Sequence, residues 1–246
     1  MSELFTTFAA KMKIPGDIYS DIRIIGFDAD DTLWVNEENY QEAERQFCAI
    51  LQPFIPEEES HRELFKTEVE NLDIYGYGAK GFMLSMIETA LRIAGKRLTA
   101  TEVNGILETG KKLLDQPIIL LDGVEIVLKK LEKKYTLILA TKGDLLDQER
   151  KLAKSGLAKY FHHIEIMSDK KEQNYRKLIR HLDIKPSNFL MIGNSLRSDI
   201  LPVVKIGAKA IHVPCETTWL HENIRLAAGR KKFIKVDKLS EVIDIL

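Results

Sequence analysis

The sequence contains no apolar run that approaches the ~20 residues needed to cross a bilayer, so we predict no membrane-spanning helix. It has only two cysteines, Cys48 and Cys215, which are far apart and form no C-x-x-C motif. This pattern predicts two reduced thiols rather than a disulfide framework or a zinc centre. Near the start, Glu3 stands where a secretory signal has basic residues, and no A-x-A-like site follows. We therefore predict a cytoplasmic protein without a membrane partner.

The chain has no excess of either charge, since 36 Lys and Arg residues stand against 37 Asp and Glu residues. A nucleic-acid-binding surface needs clustered positive charge, so we expect no nucleic-acid partner. Hydrophobic residues make up 45% of the chain and charged residues 30%, which is typical of a folded globular protein. The length of 246 residues corresponds to one or two domains.

Two periodicities divide the chain. Residues 22–27 are almost continuously apolar and rich in β-branched side chains, which predicts a strand buried on both faces of a parallel sheet. From about 37 to 116, apolar residues recur at helical spacing without a convincing strand pattern. After Pro117, strand and helix patterns alternate. The predicted strands are 135–140, 163–167, 188–192, 208–213 and 233–236, and the predicted helices include 145–155, 175–182, 197–206 and a last one from Leu239.

This alternation predicts an α/β fold, with a Rossmann-like parallel sheet as the core domain and an all-helical unit inserted after its first strand. The core comprises residues 21–36 and 117–246, and the insertion comprises residues 37–116. Residues 1–20 form an N-terminal extension, in which Leu4, Phe8 and Met12 indicate a short helix before a turn at Pro15.

Polar side chains follow four of the predicted strands at the point where each strand ends. Because ligands of an open parallel sheet bind beyond the carboxyl ends of its strands, we expect these side chains to share one site. Carboxylates, a hydroxyl and a lysine at one edge suit phosphoryl transfer to a carboxylate nucleophile, assisted by a divalent cation. The residues are Asp28, Asp30, Thr32, Thr141, Asp169, Lys170, Lys171, Asn194 and Asp199.

The pair of Asp28 and Asp30 indicates which cation is needed. Two carboxylates so close repel each other, so a cation is required for both to act at neutral pH. Oxygen ligands next to a phosphate group indicate Mg²⁺ rather than zinc, and no His/Cys cluster offers a zinc site. His162 and His163 precede a predicted strand, and we interpret them as structural or surface residues.

Each candidate also has an ordinary structural interpretation. Carboxylates after a strand often cap the next loop or helix, Thr and Asn are common in turns, and adjacent lysines are usually a solvated pair. These interpretations apply to Asp30, Asp31, Thr141, Lys170, Lys171 and Asn194.

The insertion contains one glycine- and tyrosine-rich segment, Y-G-Y-G at 75–78. It is either a substrate-facing loop or a plain connection between helices, and the plain connection is favoured. Trp219 and Glu222, which follow the strand at 208–213, are further candidates to pack near the site, although their spacing does not require it.

Four motifs resemble those of the haloacid dehalogenase-like superfamily. The run F-D-A-D-D-T-L at 27–33 is similar to its first motif, and Thr141 after an apolar strand is similar to the second. Lys170 fits the third motif, with Lys171 adjacent, and the run 191–199 matches the fourth. The motifs occur in order, and each follows a predicted strand. The helical insertion also resembles the C1-type cap of this superfamily, which closes over the site and selects the substrate.

The resemblance implies a role for each catalytic candidate. Asp28 would be the nucleophile that forms an aspartyl-phosphate. Asp30 would protonate the leaving group and then activate the water that hydrolyses the intermediate. Thr141 would hydrogen-bond the phosphoryl group, and Lys170 would neutralise the charge of phosphate and Asp28.

The resemblance also implies a Mg²⁺ site. Its ligands would be the Asp28 carboxylate, the Asp30 backbone carbonyl and a residue of the fourth motif. Asn194 stands in that motif where Asp is commonest, so this ligand would bring no charge. Asp199 is the second candidate, either directly or through water.

These motifs predict a Mg²⁺-dependent phosphatase acting on a small-molecule phosphate ester. A phosphomutase of the β-phosphoglucomutase type uses the same first motif and is the alternative. A catalytically idle binding member of the superfamily would require damage to the motifs, and Asn194 is the one departure. A dehalogenase lacks the leaving-group acid, whereas this chain has Asp30. The oligomeric state stays open.

Overall fold

The computed structural model of the protein describes residues 19–222, 224 and 233–246. The predicted helix around Leu4 to Met12 and the turn at Pro15 lie outside the described residues.

A six-stranded, all-parallel sheet forms the centre of the fold, with the strand order β3-β2-β1-β4-β5-β6. This is the doubly wound order in which the strand sequence reverses beside β1, and it confirms the predicted Rossmann-like α/β fold. The strands are β1 (Ile24–Phe27), β2 (Thr136–Lys142), β3 (His163–Met167), β4 (Phe189–Gly193), β5 (Lys209–His212) and β6 (Ile234–Lys235).

Alternating side chains of the strands reach two separate hydrophobic clusters, one on each face of the sheet. In β1, Ile25 and Phe27 belong to one cluster, whereas Ile24 belongs to the other. In β4, Ile192 belongs to the first of these clusters and Met191 to the second. Because both faces are buried, the strands need apolar residues at every position, which is why their sequences lack alternation. The helices of the core are α5 (Val124–Leu131), α6 (Leu145–Ser155), α7 (Glu172–His181) and α8 (Leu201–Lys205).

The register brings the carboxyl ends of the central strands to one level. Phe27 at the end of β1 pairs with Leu139 of β2 and with Ile192 of β4. Asp28, Thr141 and the residues after β4 consequently lie at the same edge of the sheet. This edge lies where the strand order reverses, which is where open α/β sheets bind ligands.

Four helices lie between β1 and α5 and pack around an apolar cluster of their own, which includes Phe47, Leu64 and Met86. They are α1 (Glu37–Leu51), α2 (Glu57–Tyr75), α3 (Ala79–Ala94) and α4 (Ala100–Asp115). We call residues 37–115 the helical insert. Its described residues contain no strand of the central sheet.

The two connections between sheet and insert are hydrogen-bonded to each other. Val35 N–H donates to the Ile119 carbonyl over 2.9 Å, and Leu121 N–H donates to the Leu33 carbonyl over 2.9 Å. Trp34 and Leu120 form an antiparallel bridge between these contacts. The chain therefore leaves the core and returns to it at one place.

The predicted helix at 197–206 is not uniform. It begins with a π-helical turn, Leu196–Ile200, before α8. Pro202 lacks an N–H group, so the Ser198 carbonyl four residues earlier receives no hydrogen bond from it, and this carbonyl accepts from the Tyr175 hydroxyl at 3.0 Å. The predicted last helix from Leu239 is a short 3-10 helix, Leu239–Asp244.

Within the part of the chain that the structure describes, no helix is both long and apolar enough to cross a membrane. Cys48 is buried, Cys215 is half-buried, and both are free thiols. The cytoplasmic location stays a prediction.

Phe47 supports the core of the helical insert, and its side chain is fully buried. We expect Phe47→Ala to lower the free energy of unfolding by about 3–5 kcal/mol, because it removes apolar contacts and leaves a cavity. Ile74→Ala is the control, since Ile74 is 74% exposed, and it should change stability by less than about 0.5 kcal/mol. Urea denaturation of both variants measures the difference. Equal stabilities would contradict this account of the insert.

Candidate active site

A cavity lies between the carboxyl edge of the sheet and the helical insert. Its core side includes all of the predicted catalytic and metal-binding residues, and its other side is formed by α1, α2 and α3. The core residues that line it include Asp28, Asp30, Asp31, Thr141, Lys142, Gln148, Lys170, Asn194, Ser195, Ser198, Asp199 and Glu222.

A buried ion-pair network joins three of the predicted site residues. The ammonium group of Lys170, which is 3% exposed, donates to Asp28 Oδ1 and, over 2.7 Å, to Asp199 Oδ1. Asp199 is fully buried, and its Oδ2 accepts from the Ser195 N–H at 2.9 Å. Lys171 is exposed and lies outside this network. Of the two adjacent lysines, Lys170 is therefore the one in the site.

The charges of this network shift the pKa values of its members. Burial and the neighbouring Asp199 charge raise the pKa of Asp28 to about 7, against the opposing effect of Lys170. Burial alone would lower the pKa of Lys170, but the charges of Asp199 and Asp28 raise it above its ordinary value. The network thus contains a permanent cation between two carboxylates.

Asp30 lies in a separate set of contacts that keeps its carboxylate ionised. Its Oδ1 accepts from Trp34 Nε1 at 2.7 Å and from Lys151 Nζ at 3.1 Å. Its Oδ2 accepts from Gln148 Nε2 at 2.8 Å. Burial would raise the pKa of Asp30, but the Lys151 charge and these hydrogen bonds outweigh it, so the pKa lies below the ordinary value.

Asp31 has the structural role that the sequence left open. Its carboxylate accepts from the backbone N–H groups of Asn36 at 2.9 Å and Glu37 at 3.0 Å, at the start of α1. Asp31 adopts a left-handed backbone conformation with φ 58°, which carries the chain around this turn. Asp31 therefore caps the helical insert, whereas Asp30 faces the cavity.

Thr32 connects the first and fourth motifs. Its hydroxyl lies 3.3 Å from Asp28 Oδ2 and 3.2 Å from Asn194 Oδ1, and it accepts from the Asn194 N–H at 3.1 Å. Thr141 is 1% exposed and lines the cavity, and its hydroxyl has no hydrogen-bond partner among the described residues. The Thr141 hydroxyl is thus free to bind a ligand.

The oxygen atoms at this edge of the sheet are compatible with Mg²⁺. They come from the Asp28 and Asp199 carboxylates and the Asn194 amide, which are the hard donors that Mg²⁺ prefers. In residues 19–222, 224 and 233–246, no group of three or more His, Cys, Asp or Glu side chains is arranged to hold a metal. A Mg²⁺ ion here would need amide, backbone and water oxygens besides carboxylates, which is usual for this ion.

Several site residues were not predicted. Lys151 and Gln148 are on one face of α6, and their helical spacing gave no sign that they contact Asp30. Lys142 bonds to Glu222, whose pKa falls to about 2 because the Lys142 charge and hydrogen bonds, including one from Ser195, outweigh its burial. For Lys142, the only feature of the sequence that pointed to the site was its position directly after Thr141.

Residues 76–78 connect α2 to α3 and also line the cavity, so this segment is more than the plain connection that the sequence favoured. The Tyr77 ring lies 4.0 Å beneath the Lys142 ammonium group and 6.2 Å from the Trp219 ring. Trp219 and Glu222 both lie at the site, as the sequence suggested.

The site thus combines a Rossmann-like sheet with paired aspartates after its first strand and a buried lysine after its third, as the four motifs predicted. The model of the haloacid dehalogenase-like hydrolase family matches residues 22–207. This chain therefore belongs to that family.

Solved structures agree with this assignment. A haloacid dehalogenase-like family hydrolase from Xanthomonas campestris is 38% identical, with a TM-score of 0.82 over 91% of this chain and 90% of that chain. A 2-haloacid dehalogenase from Pseudomonas syringae is 18% identical, with a TM-score of 0.59 over 91% of this chain and 97% of that chain. A HAD phosphatase from Thermococcus onnurineus is 18% identical, with a TM-score of 0.61 over the same shares. Because a dehalogenase and a phosphatase share the fold, the fold alone does not decide the reaction.

Curated relatives include mammalian phosphatases. The mouse N-acylneuraminate-9-phosphatase is 30% identical over 116 residues, which is 45% of this chain and 44% of that protein. The human protein of that name is 26% identical over 113 residues, which is 44% of this chain and 43% of that protein. The chain thus spans less than half the length of these relatives.

Gly193 allows the buried network to form. A Cβ atom at this position would lie 2.5 Å from Asp199 Cγ, so Gly193→Ala forces Asp199 away from Lys170 or from the Ser195 N–H. We expect the free energy of unfolding to fall by about 1–3 kcal/mol. Gly105→Ala is the control, because its methyl group meets only the flexible end of Ile50, at 3.1 Å. Urea denaturation compares the two, and an unchanged stability of Gly193→Ala would contradict this packing.

Proposed function

We propose that this protein is a Mg²⁺-dependent phosphatase that hydrolyses small phosphate esters through an aspartyl-phosphate on Asp28. The observation that carries the proposal is the position of Asp28. It ends the central strand, is held by Lys170 and lines the cavity beside Asp30. The phosphatases among the relatives support the same reaction.

In the first step, a carboxylate oxygen of Asp28 bonds to phosphorus while the P–O bond to the alcohol breaks, and Asp30 gives a proton to the leaving oxygen. In the second step, water attacks phosphorus, the P–O bond to Asp28 breaks, and Asp30 accepts a proton from the water. The products are the alcohol and inorganic phosphate, and Asp28 is regenerated.

The surroundings of the two aspartates fit these roles. Lys170 offsets the negative charge that gathers on Asp28 and the phosphoryl oxygens, and the free Thr141 hydroxyl can donate to one of them. The low pKa of Asp30 suits the second step, in which it accepts a proton. The first step needs a protonated Asp30, and the negative charge of a bound phosphate raises its pKa in that direction.

We further propose that Mg²⁺ is held by the Asp28 carboxylate, the Asp30 backbone carbonyl and the Asn194 amide oxygen. When bound, Mg²⁺ would offset the charge of the phosphate group and of the carboxylates. Each carboxylate oxygen of Asp199 already accepts a hydrogen bond, one from Lys170 and one from the Ser195 N–H. We therefore propose that its main role is to position Lys170, with metal binding as a secondary role.

We also propose that the helical insert is a cap domain over an α/β core of residues 21–36 and 117–246. The insert supplies one wall of the cavity and contacts the core through the ion pair between Lys80 and Asp144 at 2.9 Å. A cap in this position would exclude water during the transfer step and select the alcohol part of the substrate.

The central test is phosphate release from an aryl phosphate with and without Mg²⁺. We expect release to need Mg²⁺, and Asp28→Asn to reduce it by at least about a hundredfold, because an amide is far less nucleophilic than a carboxylate. Asp122→Asn is the control, since Asp122 is exposed and lies outside the cavity. Asp28→Asn with more than a few per cent of the activity would refute the covalent route. Phosphate transfer to a second hydroxyl of the substrate, without release, would indicate a phosphomutase.

A Mg²⁺ titration tests the role of Asn194. Asn194→Ala should raise the Mg²⁺ concentration for half-maximal activity by roughly tenfold, and Asn194→Asp should lower it, because a carboxylate adds charge to the site. Isothermal titration of Mg²⁺ into each variant should give the same order. Asn104→Ala, on the exposed side of α4, is the control. An unchanged metal dependence in Asn194→Ala would mean that the metal is held elsewhere.

A further inference from the structure

The part of the cavity wall that belongs to the helical insert carries acidic and aromatic side chains. Glu37, Tyr40 and Glu44 come from α1, and Glu68 comes from α2. No Lys, Arg or His of the described part of the insert lines this wall. Lys142 and Lys170 line the core side, but Glu222 and the Asp28–Asp199 pair already bind them.

Among the described residues, Glu37 and Glu68 have no cationic partner, whereas Glu44 contacts a histidine. Glu68 has no hydrogen-bond or ion-pair partner in the described parts of the chain. Glu37 is hydrogen-bonded to Gln41, and Glu44 contacts His61 Nδ1 at 2.6 Å. Burial and nearby carboxylates raise the pKa of Glu37 to about 8 and that of Glu68 well above its ordinary value. The raised pKa values favour the protonated, neutral form of these carboxyls, and a cation bound beside them would favour the ionised form instead.

Asn71 and Ser85 add acceptors rather than donors to the same wall. Asn71 is 8% exposed, and its Nδ2 group donates to Ser85 Oγ at 3.1 Å and to Glu88 Oε2 at 3.0 Å. This orientation of the amide is fixed, because a Glu88 carboxylate can only accept. The Ser85 hydroxyl donates its proton to the Gly81 carbonyl at 2.9 Å. The Asn71 carbonyl oxygen therefore has no partner among the described residues, and it can accept a hydrogen bond from a ligand in the cavity.

Besides Tyr77, two aromatic rings of the insert line the cavity. Tyr40 and Phe82 lie with their ring centroids 5.3 Å apart, and both line the cavity. The negative faces of aromatic rings attract cations. Unpaired carboxyls, an unpartnered carbonyl and aromatic faces together favour a ligand that donates hydrogen bonds and carries positive charge.

We infer that the preferred substrate is a phosphate ester whose alcohol part carries a primary ammonium group, bound by Glu68, Glu37 and the Asn71 carbonyl. This inference rests on the proposed function, because it concerns the alcohol that the proposed hydrolysis releases. The described residues of this wall offer no Lys, Arg or His to an alcohol part that carries a carboxylate. An N-acylneuraminate phosphate, for which the mammalian relatives are named, is such an acid.

Matched esters test the inference without assuming the distance from Asp28 to Glu68. The series consists of ω-aminoalkyl phosphates with two to six carbons, each compared with the ω-hydroxyalkyl and ω-carboxyalkyl phosphate of the same length. We expect kcat/KM for the amine to exceed that for the alcohol by at least about tenfold at the best length, since hydrogen bonds to charged groups are the strong ones. The carboxylate ester should be the poorest of the three.

Glu68→Gln tests the assigned residue, because it keeps the size of the side chain and cannot ionise beside an ammonium group. The ratio of kcat/KM between the amine and the alcohol should fall several-fold. Glu37→Gln should lower the same ratio. Glu70→Gln is the matched control, since Glu70 is exposed on the same helix and lies outside the cavity. It should leave the ratio unchanged.

The outcomes separate this inference from the function on which it rests. If no ester is hydrolysed, the aryl phosphate included, the proposed phosphatase activity fails, and the inference fails with it. If the aryl phosphate is hydrolysed but no amine exceeds its matched alcohol, only the ammonium preference is overturned. A preference for the amine that is unchanged in Glu68→Gln and Glu37→Gln would also overturn the assigned site.

Discussion

The ammonium group of Lys170 holds the site together, because it lies between two carboxylates that could not otherwise be buried side by side. Removing one partner from such a buried pair typically costs about 3–5 kcal/mol, because the charge that remains is unpaired. Asp28 can therefore stand directly after an apolar strand with a charged partner, although burial and Asp199 still raise its pKa to about 7. The Asp199 carboxylate fits against Gly193 because glycine has no side chain, and it accepts a hydrogen bond from the Ser195 N–H. These contacts fix Asp199, which in turn orients the Lys170 side chain. The position of the Asp28 carboxylate thus depends on the end of β1, the segment before α7 and the end of β4.

Asp30 is only two residues from Asp28, yet it belongs to a different electrostatic environment. Lys151 and Gln148 reach it from α6, and Trp34 reaches it from the connection to the insert. Two neighbouring carboxylates thereby acquire opposite pKa shifts, upward for Asp28 and downward for Asp30. Such a separation suits the proposed mechanism, in which Asp28 acts on phosphorus and Asp30 on protons. Because Trp34 lies in the connection, the position of Asp30 also depends on how the insert joins the core.

The sequence predicted the sheet well, because buried parallel strands are apolar throughout and each ends at polar residues. For the same reason Asp28, Thr141, Lys170 and Asn194 were predicted to share one edge, and the registers of β1 with β2 and β4 and of β2 with β3 place them there. Residues on helices were harder to predict. Lys151 of α6 and Glu68 of α2 look like ordinary solvated charges in the sequence. Their direction depends on how helices pack against the sheet and against one another, which helical periodicity alone does not specify.

The paired connections at 33–35 and 119–121 have a consequence for how such a protein can evolve. The chain leaves and re-enters the core through two segments that are hydrogen-bonded to each other. The two ends of the insert are therefore held together at the core, as the two ends of a hairpin loop are. The entropy of closing a loop grows only slowly with its length. Helices can therefore be lengthened, added or exchanged between these two points at little cost to the sheet. Changes to the insert wall of the cavity can thus leave the residues at the carboxyl edge of the sheet in place.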